Sequence, residues 1–151
     1  MEDVKPTLEL RAKRYHEVLQ AEGYGVKKPV WDAQSKTWDT WLKYEGMTML
    51  LMFDCDDPHF VRIVAPNFWA VSPEELGCAL IAADLANKQC KGGKVSLNTD
   101  RNNTFASVEF LDEQGEIAVG ILIRYLDMLV TVMRSYAKAV RERRDAANQL
   151  T

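Results

Sequence analysis

A helix with both of its ends written into the sequence sits between two blocks of alternating residues, and it constrains the fold more than any other stretch. Within Ala65–Asn98, Ser72 stands three residues before Glu75 with Pro73 between them. That is an S-x-x-E capping box with proline at the first helical position. Gly92 and Gly93 close the run, as glycine does just past a helix C-terminus. Leu76, Ala79, Leu80, Ala83 and Ala86 fall on one stripe, widened by Ile81 and Leu85. The alanines allow another backbone or helix to approach closely. A helix crossing between two sets of strands predicts an α+β layer architecture.

Upstream, Thr37 to Ala65 alternates with period two and is broken by two turns. Glu45-Gly46, between Tyr44 and Met47, suits a tight hairpin that sets Leu42 opposite Met49, Thr40 opposite Leu51 and Trp38 opposite Phe53. This register gathers Trp38, Leu42, Tyr44, Met47, Met49, Leu51 and Phe53 on a core face. The other face carries Asp39, Lys43 and Thr48, as a wet surface should, but also Trp41, Leu50 and Met52. A third strand, His59 to Ala65, points Val61 and Ile63 inward and adds Phe60, Arg62 and Val64 outside. A sheet covered by helices on one side only has no use for such residues on its other side. Contiguous apolar patches of this kind mark interfaces. Either a partner lies there, or a loop or the second helix of the same chain does. Trp41, Leu50, Met52, Phe60, Arg62 and Val64 are therefore the candidate partner-binding residues.

The turn Asp54-Cys55-Asp56-Asp57-Pro58-His59 joins the second and third strands. Its carboxylates, thiol and imidazole invite a metal, but the glycine and distant glutamate of a calcium loop are absent. No second histidine or C-x-x-C completes a zinc set. Asp and Pro serve a turn for backbone reasons alone, so no metal and no cofactor are expected. Lys91-Gly92-Gly93-Lys94 follows a helix and lacks the G-x-x-x-x-G-K-[ST] pattern, which excludes a phosphate loop.

The flanks complete the order. A first helix is expected over Pro6–Glu22, with Leu8, Ala12, Tyr15, Val18 and Leu19 on one face and Arg11, Lys13, Arg14 and Glu17 elsewhere. Gly23 to Pro29 reads as a loop. Lys94–Asn98 and Thr104–Leu111 form a strand pair around the turn at Asp100–Asn103. In the second of these, Ala106, Val108 and Phe110 oppose Phe105, Ser107 and Glu109. The last helix, Gly115–Arg144, is apolar almost all round in its first half, which calls for cover on a second side. Its basic second half suits the helix dipole and reads as a solvated face. The sum is one α+β domain over residues 1–151, with a five-stranded, mostly antiparallel sheet, the order α-β-β-β-α-β-β-α, and helices packed on the sheet.

A chain of 151 residues can bury roughly 70% of its unfolded surface and needs neither metal nor disulfide to hold a core. A net charge of −3 sets up no field for nucleic acid. The three cysteines, Cys55, Cys78 and Cys90, form no C-x-x-C, so a reducing cytoplasm is the expected home. The acidic Met1-Glu2-Asp3 start is unlike a signal peptide. The longest apolar runs fall far short of a membrane span.

The element order resembles the type III secretion chaperone-like fold and, within it, the YbjN-like family of small bacterial proteins, from about Leu8 to Val140. The passage Ala83-Asp84-Leu85-Ala86-Asn87-Lys88, then Gly92-Gly93-Lys94-Val95-Ser96-Leu97, is similar to that family's helix, Asn-rich turn, glycine, lysine and strand. The resemblance implies a homodimeric module that binds protein segments, and it brings no catalytic residues. The expectation is a non-enzymatic, chaperone-like or adaptor protein with a protein or peptide client. The alternative is a small-molecule-binding protein or enzyme with a pocket between sheet and helices. Against it, no nucleophile–base pair can be assembled from two histidines and three scattered cysteines.

Overall fold

The computed structural model describes residues 4–149. In chain order these form α1 (Val4–Ala21), β1 (Gly25–Val26), β2 (Val30–Asp32), β3 (Thr37–Tyr44), β4 (Met47–Asp54) and β5 (Phe60–Ala70). A 3-10 turn (Pro73–Glu75) leads into α2 (Leu76–Gln89), followed by β6 (Gly93–Asn98), a second 3-10 turn (Thr99–Arg101), β7 (Asn103–Leu111) and α3 (Val119–Asn148). The class is α+β. The sheet, however, has seven strands instead of the five expected, in the order β1-β3-β4-β5-β7-β6 with β2 also on β3. The two extra strands come from the segment around the expected loop: Gly25 and Val26 pair with Lys43 and Leu42, and Val30–Asp32 with Asp39–Thr37. Runs of two and three residues are too short to show a period. Pro29, between them, cannot donate to a ladder and so suits a sheet edge.

The residues pack as two compact units. One holds the chain up to Val64 together with Glu109–Leu126, and the other holds Ala65–Val108 together with the residues from Asp127 on.

In the first unit the β3–β4 register is the expected one, with Leu42 opposite Met49, Thr40 opposite Leu51 and Trp38 opposite Phe53. Glu45 and Gly46 both take positive φ, 50° and 78°, the geometry whose twist matches a two-residue hairpin. Leu42, Tyr44, Met49, Leu51 and Phe53 are buried with Val61 and Ile63 of β5. Leu8, Ala12, Tyr15 and Leu19 of α1 are buried as well, and Tyr15 meets Phe53 edge-on at 5.0 Å. Arg11, expected outside the apolar face, is buried too. Its guanidinium donates to Pro58 O at 2.5 Å and Glu113 O at 3.4 Å, tying two loops to α1. The Tyr15 hydroxyl donates to Asp112 Oδ2 at 2.7 Å. Asp112 Oδ1 accepts the Gly115 and Glu116 backbone N–H groups at 3.0 and 3.3 Å. With Gly115 at φ 68°, this turn delays α3 until Val119, later than the expected start.

In the second unit the Ser72 N–H donates to Glu75 Oε2 at 3.3 Å, and Pro73 opens the 3-10 turn ahead of α2. The buried stripe of α2 runs through Ala79, Ala82, Ala83 and Ala86. Leu80, expected in it, is 52% exposed, and Ile81 is exposed as well. Only the alanine row lets α2 lie close on its neighbours. Asn87 closes the outer edge of β6: its Oδ1 accepts Val95 N–H at 2.7 Å and its Nδ2 donates to Val95 O at 3.1 Å. An edge plugged this way cannot pair with another strand at that point. Gly92 stops the helix at φ 78°, whereas Gly93 is needed for space, since a Cβ there would lie 2.8 Å from Val132 Cγ1.

β5 runs to Ala70, past the expected end at Ala65, and within this extension Asn67 takes a left-handed φ of 51° that breaks the alternation. Phe68 and Trp69 then both pack on Tyr136, at 5.6 and 6.2 Å. The basic end of α3 is not merely solvated. Arg141 and Arg144 stand over the Trp69 ring at 5.4 and 5.5 Å, and Arg144 pairs with Glu75. α3 buries Leu122, Leu126, Leu129, Val130, Val132, Met133, Tyr136 and Val140. These fall on one wide arc at helical spacing, not on two separate sides.

Burial raises the pKa of the Tyr15 hydroxyl, reinforced by its bond to Asp112 and the charge there, and burial pushes that of Tyr136 up to about 12. Above pH ~10 the unfolded tyrosines release protons that the folded ones keep. The unfolded state then binds fewer protons, so stability falls by about 1.4 kcal/mol per pH unit for each tyrosine. Thermal unfolding between pH 9 and 12 is expected to show this decline, with Tyr136→Phe flattening the slope. A flat profile would contradict the burial assignment.

Candidate functional site

The outer face of the first unit is built by alternation along three adjacent strands. Trp41 lies opposite Leu50, and Leu50 opposite Val64; Asp39 lies opposite Met52, and Met52 opposite Arg62. Phe60 precedes Arg62 by one alternation step on β5. The structure therefore brings all the candidate residues onto one face. Trp41 is 38% exposed, Leu50, Met52, Phe60 and Val64 are half-buried, and Arg62 is exposed.

The face extends further than expected. Val30 of β2 lies opposite Asp39 and is 64% exposed. Arg62 Nε and Nη2 each lie 2.8 Å from Glu109 Oε1, which places Glu109 beside Arg62. Two residues on, Leu111 takes the same side of β7 and is 67% exposed. Val30 gave no sequence signal because β2 is so short. Leu111 did: it continues the Phe105, Ser107, Glu109 alternation.

Charge is arranged around this apolar surface. Arg62 is neutralised by Glu109 and rests 5.7 Å from the Phe60 ring centroid. Asp39 accepts from the Thr37 hydroxyl at 2.8 Å. Burial raises its carboxyl above the usual range, the Thr37 bond opposes this, and the Asp32 charge adds to it. At the other end of β3, Lys43 Nζ donates to Thr48 Oγ1. A hollow of about 280 Å³ is lined by Gly25, Lys27, Trp41, Leu42, Lys43 and Thr48.

The Asp54–His59 turn uses its polar groups on itself and on a neighbouring loop. Asp54 Oδ1 accepts Asp56 N–H at 2.8 Å, and His59 Nδ1 lies 3.2 Å from Glu113 O. Burial, then Asp54 and Asp56, raise the Cys55 thiol above its ordinary range, which disfavours the nucleophilic thiolate. In the second unit a hollow of about 260 Å³ is lined by Val71, Ser72, Pro73, Leu76, Leu97, Asn98, Thr99, Asn102 and Asn103. Among the described residues, no helix is long and apolar enough to cross a membrane.

No protein-family model matches the sequence, and no curated protein matches it. Two solved structures are similar in fold. One is an uncharacterized protein from Methanothermobacter thermautotrophicus, 13% identical, with a TM-score of 0.66 over 88% of this chain and 98% of that one. The other comes from the HopA1–SchA chaperone–effector complex, 16% identical, with a TM-score of 0.57 over 86% of this chain and 95% of that one. This chain thus shares the fold of both, which among the described residues is an α+β arrangement with an antiparallel sheet and three helices.

Proposed function

We propose that the chain is a non-enzymatic, dimeric, YbjN-like protein of the cytoplasm that holds extended segments of a protein client on the outer sheet face of its first unit. One observation carries this reading: Val30, Trp41 and Leu111, each exposed, share a single face with Leu50, Met52, Phe60 and Val64. Such a surface gives adaptable Met and aromatic contacts to an extended peptide. The fold it shares with a chain of a chaperone–effector complex supports the reading.

Selection of a random peptide display library on the protein tests it. Enrichment of peptides with alternating apolar residues is expected, together with a dimeric mass by light scattering at micromolar concentration. Absence of any enriched peptide would overturn the client-binding role, and a strict monomer would overturn the dimer.

A further inference from the structure

The outer face has a polarity that narrows what it can hold, an inference resting on the client-binding reading above. Asp39, Trp41 and Lys43 follow one another on the same side of β3, so an acid, an aromatic ring and a base stand in line. At about 3.3 Å per residue the two charged positions are about 13 Å apart.

Asp39 sits between Val30 on one side and Met52 on the other. Its bond from Thr37 is the one it makes among the described residues, and no described cation pairs with it. Arg62, the nearest basic position in its row, is already committed to Glu109. A half-buried carboxylate without a counter-ion is poorly solvated, so an ammonium or guanidinium brought by a ligand gains more there than in open water. At the far end, Lys27 and Lys43 flank the hollow beside Trp41. That end suits an anion.

The geometry points to a client segment with a basic, an apolar and an acidic residue at alternate positions, laid along β3. Its cation meets Asp39, its apolar side chain covers Trp41 and its anion meets Lys43 and Lys27. Segments carrying the same charge at both ends place one of them against a like charge and are rejected. This is a specificity rule for the face, separate from its general apolar affinity.

Fluorescence anisotropy with three blocked, labelled peptides tests the rule. All have a central leucine and serine spacers, with the flanking charges Lys and Glu, Lys twice, or Glu twice. The mixed peptide is expected to bind about tenfold more tightly than either like-charged one. On Asp39→Asn its advantage over the doubly acidic peptide disappears. On Lys43→Gln its advantage over the doubly basic peptide shrinks, since Lys27 remains. Melting temperatures confirm that both variants are folded. Equal binding of the three peptides to the unaltered protein would overturn the charge rule and leave the apolar docking face standing. So would an unchanged preference in Asp39→Asn, which would make that carboxylate a partner of the Thr37 hydroxyl only. Failure of every peptide to bind would overturn both.

Discussion

Replacing Phe53 by alanine is expected to cost about 3–5 kcal/mol of stability, the range for removing a buried phenyl ring. The ring is fully buried on β4, between the facing Trp38 and Val61, with the Tyr15 ring edge-on at 5.0 Å. Losing it opens a cavity beneath α1 and removes the aromatic contact, worth about 0.5–1.5 kcal/mol by itself. A fall in melting temperature on the order of 10 °C follows. A change within 2 °C would mean that the inner face of the β3–β4 hairpin is not the core of the first unit.

The second large effect is expected in the other unit. Gly93→Val should destabilise by about 1–3 kcal/mol through overpacking. An added Cβ would lie 2.8 Å from Val132 Cγ1 and 3.0 Å from the Met128 backbone carbonyl. The carbonyl belongs to the α3 ladder and cannot turn aside, so helix and strand must separate. Gly92→Ala, beside it, acts differently. It strains a left-handed φ of 78° and presses the flexible Met128 thioether, so it should cost less. Urea unfolding of the two variants separates these causes. Equal losses would contradict the division of roles between the two glycines.

Features fixed by local physics were legible in the sequence. The capped start at Ser72–Glu75, the Glu45-Gly46 hairpin and the faces of β3, β4 and the first half of β5 stand where spacing placed them. What escaped depended on partners distant in sequence. Arg11 looks like a solvated helix residue until the Pro58 and Glu113 carbonyls arrive. Arg141 and Arg144 look like a solvated helix end until Trp69 is set beneath them. Trp69 in turn is aimed by the left-handed Asn67, a residue whose conformation no periodicity reveals. The apolar pattern of α2 admitted two stripes, and close packing chose the alanines over Leu80. β1 and β2 exist because β3 offers them a ladder, not through any pattern of their own. The candidate face was legible at its centre and, through the β7 alternation, at Leu111, but not at Val30, which depends on β2.

The outer face and the exposed side of α2 both display large apolar residues, and the proposed function places the client on the first alone. A peptide enriched on the protein should bind Trp41→Ala at least about tenfold more weakly, as expected for an aromatic anchor at the centre of an interface. It should bind Leu80→Ala with unchanged affinity, and both variants should melt close to the unaltered protein. Loss of binding in Leu80→Ala together with full binding in Trp41→Ala would contradict the account and move the docking surface to α2.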